Sequence, residues 1–114
     1  MKKLDIIIRP EKLENLKVIL NRCKVGGMTV MSVMGCGNQK GAANIDLKGL
    51  KVLSMNLIPK IQATVVVDDA DVEELLSLLH ESISSGKVGD GKVFISPVDD
   101  IMRMRTGERG KKAL

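Results

Sequence analysis

The chain contains no tryptophan, no tyrosine and a single phenylalanine, Phe94. Proteins that hold single-stranded nucleic acid generally stack its bases on aromatic side chains, so this chain is expected to have no nucleic-acid partner of that kind. A switch worked by tyrosine modification is excluded outright. Two cysteines, Cys23 and Cys36, and one histidine, His80, form no cluster with zinc-ligand spacing. Two thiols in a chain with no signal peptide and no apolar run of membrane length predict reduced cysteines, a cytoplasmic location and no direct membrane insertion. Without large aromatics, the core must be filled by Ile, Leu, Val and the seven Met.

What is present is basic and compact. Eighteen Lys and Arg against fourteen Asp and Glu leave a net charge of +4, which suits phosphate ligands and is too small to require DNA. A length of 114 residues is one domain, 1–114, of modest stability unless copies assemble.

The stretch Ser85-Gly86-Lys87-Val88-Gly89-Asp90-Gly91-Lys92 concentrates three glycines. Such a backbone can curl so that successive N–H groups converge on an anion. Lys92 adds a point charge, and Arg103 and Arg105, if extended, project from one face of a strand. Three cations and a backbone nest point to a polyphosphate. Gly86 to Lys92 fits G-x-x-x-x-G-K, but Val93 follows where a P-loop needs Ser or Thr for Mg²⁺. The order is also reversed, since these glycines lead from a helical pattern into Val93-Phe94-Ile95, so a kinase or ATPase of that class is not expected. The plainer alternative is an ordinary helix-to-strand connection with glycines at the helix end.

Leu4–Arg9 reads as a strand, with apolar residues on both sides of the pleat. Pro10 opens a helix over 11–23, with Leu13, Leu16, Leu20 and Cys23 on one face. Met28–Met34 and Pro59–Val67 read as strands. Asp68-Asp69 caps a helix over 70–84 carrying Val72, Leu75, Leu76, Leu79 and Ile83 on one stripe. His80 lies at the edge of that stripe, as a partly exposed helical residue rather than a base. A fourth strand covers 92–98. The chain is then expected to extend through Arg103 and Arg105 and to be loose from Gly107 onward.

From Ala42 to Leu57 neither periodicity holds, although Ile45, Leu47, Leu50, Val52, Leu53, Met55 and Leu57 are apolar. Two readings stand: a surface that docks on a partner, or a small hairpin lying on its own subunit. The order of elements predicts an α+β fold, a ferredoxin-like βαββαβ antiparallel sheet with two helices on one face. The other face of that sheet is apolar enough to be buried by further copies of the chain.

The ordered set Met1-Lys2-Lys3-Leu4-Asp5, Arg9-Pro10, Gly27-Met28-Thr29-Val30, Gly35-x-Gly37-x-Gln39-Lys40-Gly41, Pro59-Lys60, Gly86–Phe94 and Arg103-x-Arg105-Thr106-Gly107-Glu108 resembles the PII signal-transduction family of nitrogen regulators. The resemblance spans nearly the whole chain. It implies a homotrimer with three intersubunit clefts that take ATP or ADP competitively. By position, Gly89, Asp90, Gly91 and Lys92 of the B-loop (85–92), with Arg103 and Arg105 of the C-terminal segment (99–114), hold the phosphates. Thr29, Gly35, Gly37 and Val66 line the adenine and ribose part. Asn38 falls in the same nucleotide set but stands where many relatives carry arginine. The family uses Gln39 to complete a site for Mg²⁺ and 2-oxoglutarate beside ATP, and Lys60 to pair with a 2-oxoglutarate carboxylate. Residues 37–58 correspond to the T-loop, whose stretch 42–57 engages a target: a membrane transporter, a metabolic enzyme or a regulator. This T-loop has no tyrosine to be uridylylated or adenylylated, and its one serine, Ser54, is no evidence of phosphorylation.

These features imply a non-enzymatic sensor in nitrogen and energy regulation. An alternative is an adenylate-energy sensor of the same fold, indifferent to 2-oxoglutarate and acting on a target outside nitrogen metabolism. A phosphate-ester enzyme lacks an activated nucleophile and a placed base here, and a nucleic-acid module lacks aromatics on its strands.

Overall fold

A computed structural model describes residues 1–37, 44–45, 51–52 and 57–114 of the chain. Asn38, Gln39 and Ser54 lie outside the described residues. The elements run β1 (Lys2–Ile8), α1 (Leu13–Arg22), β2 (Thr29–Gly35), β3 (Asn44–Ile45), β4 (Lys51–Val52), β5 (Ile58–Val67), α2 (Val72–Ile83) and β6 (Gly91–Pro97). Short 3-10 turns at Pro10–Lys12 and Asp69–Asp71 lead into α1 and α2. Proline is tolerated in that first turn because its missing N–H would be unpaired there anyway. The Asp68 carboxylate accepts the Ala70 amide at 3.4 Å, as its sequence position predicts for a cap.

Four strands form one antiparallel sheet in the order β2-β5-β1-β6. β5 inserts between β1 and β2, the split arrangement of a ferredoxin-like α+β fold. Alternation then sorts the side chains. Leu4, Ile6 and Ile8 of β1 and Ile61, Ala63, Val65 and Val67 of β5 face the helices and are buried. Against them pack Leu16, Ile19 and Leu20 of α1 and Val72, Leu75, Leu79 and Ile83 of α2. These apolar stripes are what give each helix its place on the sheet.

The second face carries the residues between: Lys3, Asp5 and Ile7 on β1; Lys60, Gln62, Thr64 and Val66 on β5; Lys92, Phe94 and Ser96 on β6. No helix covers it. Phe94 is 56% exposed and Met31 is 50% exposed. The Thr64 hydroxyl donates to Asp5 at 2.6 Å and lowers its pKa, with Lys3 adding to the effect.

One expectation is met in part and one is corrected. Within 42–57, Asn44 pairs with Val52 and Ile45 with Lys51 in a two-residue antiparallel ladder, the pairing that the hairpin reading of this stretch expects. And the chain after Asp100 is neither extended nor loose. Met102 bridges to Arg109, and Arg103–Gly107 is a turn closed by the Thr106 and Gly107 amides on the Arg103 carbonyl. Residues Gly110–Ala113 then make a 3-10 turn. Polar composition concealed this order, because the stabilising groups are side-chain acceptors for backbone amides rather than an apolar stripe.

Candidate phosphate-binding site

Between α2 and β6 the backbone turns through glycines whose conformation other residues would strain. Gly86, Gly89 and Gly91 have φ of 75°, 99° and 115°. Gly91 is also held by space, since a Cβ there would lie 1.7 Å from the Ile7 carbonyl oxygen. That approach is imposed by the antiparallel register, which sets Gly91 opposite Ile8.

Asp90 braces the loop from within. Its carboxylate accepts the Ser85 amide at 2.7 Å, the Ser85 hydroxyl at 2.6 Å and the Gly86 amide at 3.0 Å. Led by the Ser85 hydroxyl and amide, these donors bring its pKa down to about 2. The side chain borders a hollow of about 220 Å³ under the end of α2, beside Leu79, His80 and Ile83. The carboxylate serves the loop.

Two cations grip the loop from the other side. Arg9 Nη2 donates to the Val88 carbonyl at 2.8 Å and Nε to the Gly89 carbonyl at 3.1 Å. Lys60 Nζ donates to the same Gly89 carbonyl. In a trans peptide the N–H points opposite to the C=O. Pinning these two carbonyls therefore turns the Gly89 and Asp90 N–H groups away from Arg9 and Lys60.

Beside the loop, on the sheet face without helices, lies a cleft of about 480 Å³, within the range of small-molecule sites. Gly35, Gly37, Lys60, Gly89, Gly91 and Lys92 line it, all from the sequence-derived set, with an apolar wall of Ile7, Ile58, Val88 and Phe94. Two lysines, a braced glycine turn and an apolar wall fit a ligand with anionic and flat apolar parts.

Thr29, Val66, Arg103 and Arg105 of that set lie elsewhere in the protomer. Thr29, paired with Thr64, and Val66, paired with Lys3, sit toward the opposite end of the sheet from Gly91. Arg103 is held beyond that end, its Nη2 donating to the Leu114 carbonyl at 2.9 Å, and Leu114 abuts Gly26 just before β2. Along β6, the six steps from Gly91 to Pro97 span about 20 Å. Arg103 and Arg105 therefore do not reach the cleft of their own chain. The cations of the set fall into two groups at opposite ends of one sheet.

Sequence reasoning left out Arg9, Ile7, Ile58, Val88 and Phe94. Ile7 and Phe94 had a signal: Phe94 shares a strand face with Lys92, and Ile7 is the extra apolar residue of a run covered on one side only. Arg9 had none, since its contact with Gly89 spans eighty positions and depends on the pairing of β1 with β6.

Sequence comparison agrees with this architecture. Residues 1–108 match the family model described as Nitrogen regulatory protein P-II. The chain is 44% identical over 114 residues to Nitrogen regulatory protein P-II 2 of Methanothermobacter thermautotrophicus, covering all of this chain and 97% of that protein. It is 40% identical to Nitrogen regulatory protein P-II of Synechocystis sp. and 36% identical to that of Azospirillum brasilense, over the full length of both chains in each case. A match of this length and identity, on a four-stranded antiparallel sheet with two helices, shows that the chain belongs to the nitrogen regulatory protein P-II family, a family of regulatory proteins rather than enzymes.

Proposed function

We propose that this protein senses adenine nucleotides, binding ATP and ADP competitively in clefts between the subunits of a homotrimer and signalling to a target protein through residues 42–57. The observation that carries this reading is the division of the cations. Lys60 and Lys92 stand in a cleft beside the braced glycine loop, while Arg103 and Arg105 lie at the far end of the same sheet. Two copies related by rotation bring the arginines of one to the cleft of the next, and a polyphosphate then bridges them. The sheet face opposite the helices, where Met31 and Phe94 stand half-exposed among charged and polar residues, supplies a mixed surface for such an assembly.

The donor set fits a nucleotide. Backbone N–H groups and Lys92 take the phosphates as point donors, arginines take them in pairs, and the wall of Ile7, Val88 and Phe94 takes a flat base. Gln39 would hold Mg²⁺ with the phosphates, and Lys60 a carboxylate of 2-oxoglutarate. The third phosphate and its metal then give ATP a differential affinity for one loop conformation, without which no ligand shifts that equilibrium. Targets in keeping with this mode are a membrane transporter, a metabolic enzyme or a regulator. Among the described residues no helix is long and apolar enough to cross a membrane; with a transporter as target, the partner would bring the protein to the membrane.

Lys60 favours a second reading. It is already engaged on the Gly89 carbonyl, and so has a role in the loop without any carboxylate ligand. A sensor of the ATP/ADP ratio alone, with a target outside nitrogen metabolism, would keep Lys60 for that reason.

Calorimetric titration with ATP and ADP, each with and without Mg²⁺ and 2-oxoglutarate, tests both. Binding of 2-oxoglutarate only in the presence of Mg-ATP supports the first reading. Nucleotide binding with no response to 2-oxoglutarate supports the second, and no nucleotide binding sinks both.

A further inference from the structure

A carboxylate outside the cleft and the loop closes the base of the segment that carries Arg103 and Arg105. Asp100 Oδ1 accepts the Ile101 amide at 2.8 Å and the Gly110 amide at 3.0 Å. Oδ2 accepts from the Arg109 guanidinium. The Gly110 amide also reaches the Ile101 carbonyl at 3.1 Å. One carboxylate thus ties together the start and the end of the segment 101–110.

Beyond this clasp the chain runs out and back. Met102 bridges to Arg109, and the Arg103 amide donates to the Glu108 carbonyl at 2.9 Å. The Thr106 and Gly107 amides close the turn on the Arg103 carbonyl at 3.2 and 2.8 Å. Gly107 and Gly110, with φ of 73° and 69°, allow the reversals. The turn holds Arg103, Met104 and Arg105, and Met104 is 86% exposed. A hairpin this short, with its turn in water, is marginal without something at its base. The Arg109 hydrogen bond, followed by the Ile101 amide, lowers the pKa of Asp100 and keeps the clasp charged.

We propose that Asp100, partnered by Arg109, is a positioning residue for nucleotide binding. It touches no phosphate, and it fixes the turn from which Arg103 and Arg105 reach a nucleotide in the neighbouring subunit's cleft. This rests on the nucleotide reading above. Without the clasp, both guanidiniums must be ordered at the moment of binding, and that cost appears as lost affinity.

The test is titration of the full chain with ATP and ADP in Asp100→Ala, Asp100→Asn, Arg103→Ala and the Asp100→Ala/Arg103→Ala pair. Asp100→Ala is expected to weaken binding about tenfold. Asp100→Asn keeps a carbonyl for the two amides and is expected to stay within about threefold of the parent. In the pair, the loss is expected to fall short of the product of the two single losses, because Asp100 acts in part through Arg103 and only its effect on Arg105 is left to lose. Losses that multiply, or unchanged affinity in Asp100→Ala, overturn the proposal. Should Asp100→Ala fail to fold, Arg109→Ala keeps the amide caps and is expected to lose about threefold, with no loss overturning it. If the parent chain binds no nucleotide, the functional reading fails and takes this one with it. If the parent binds and only the Asp100 and Arg109 variants behave as parent, the positioning role alone fails.

Discussion

Arg9 and Gly89, eighty positions apart, are joined by a hydrogen bond from Nε to the Gly89 carbonyl at 3.1 Å. With the second bond, from Nη2 to Val88, the guanidinium closes a fork over two consecutive peptide units. The end of β1 thereby becomes a support for the loop that opens β6.

Arg9→Ala is expected to lose both bonds, leave the Val88 carbonyl in water and the Gly89 carbonyl on Lys60 alone, and loosen the Gly89 and Asp90 peptides. Charged hydrogen bonds of this kind contribute about 1.5–3 kcal/mol when well shielded, and this pair is partly exposed, so a loss of about tenfold in ATP and ADP affinity is the expected outcome. Titration of the variant checks it; affinity equal to the parent's would show that the loop keeps its shape without the fork.

Lys60→Ala removes one donor from the Gly89 carbonyl and leaves the Arg9 fork in place. Its effect on the loop is therefore expected to be smaller than that of Arg9→Ala, about threefold in nucleotide affinity. Amide exchange at Gly89 and Asp90 orders the two variants directly. Faster exchange in Lys60→Ala than in Arg9→Ala would reverse the assignment of which cation holds the loop.

Gly91→Ala places a methyl on the Ile7 carbonyl and forces an L side chain into a left-handed backbone at φ 115°. Neither strand can move without losing ladder hydrogen bonds. The substitution is expected to destabilise the chain by about 3 kcal/mol or more, or to unpair β6 from β1 at its start. Denaturant unfolding measures it. A midpoint within error of the parent's would mean that the register at Ile8 and Gly91 is looser than the structure shows.

Asp90 ties the loop to a pH window. Its pKa in the fold is about 2 against an ordinary 3.8, so the carboxylate's contribution is complete above about pH 4 and is lost as pH falls from there through about 2. The Ser85 and Gly86 amide resonances are expected to follow that titration, and in Asp90→Asn to be independent of pH over the same interval. A midpoint for these amides near 3.8 in the parent would contradict the brace.

Arg103→Ala removes the guanidinium held by Leu114 and Glu108. A lost bidentate phosphate contact is expected to weaken ATP and ADP by about tenfold to a hundredfold, with little change in unfolding, because both of its partners are near the surface. Unchanged nucleotide affinity would remove this arginine from the site.

The elements of the fold were legible because each is specified by local periodicity. The alternation of Ile61, Ala63, Val65 and Val67 and the stripe of Val72, Leu75, Leu79 and Ile83 encode burial over a few residues. The glycine loop was legible for a similar reason, since only glycine accepts those backbone angles cheaply. Other features needed tertiary structure. Arg9 meets Gly89, and Gly91 must lack a side chain beneath Ile7, only because two strands pair in one register. The clasp at Asp100 depends on a reversal that polar residues do not advertise.

The sequence by itself determined the family, the sheet with its two helices, and the residue types suited to a phosphate, because motifs and periodicity are properties of neighbours along the chain. Only the tertiary structure decided that Lys60 and Lys92 share one cleft, that the Asp90 carboxylate is spent on the loop's own amides, and that Arg103 and Arg105 lie at the other end of the sheet. Strand order and register set those distances, and they arise from the packing of the whole chain rather than from any segment of it.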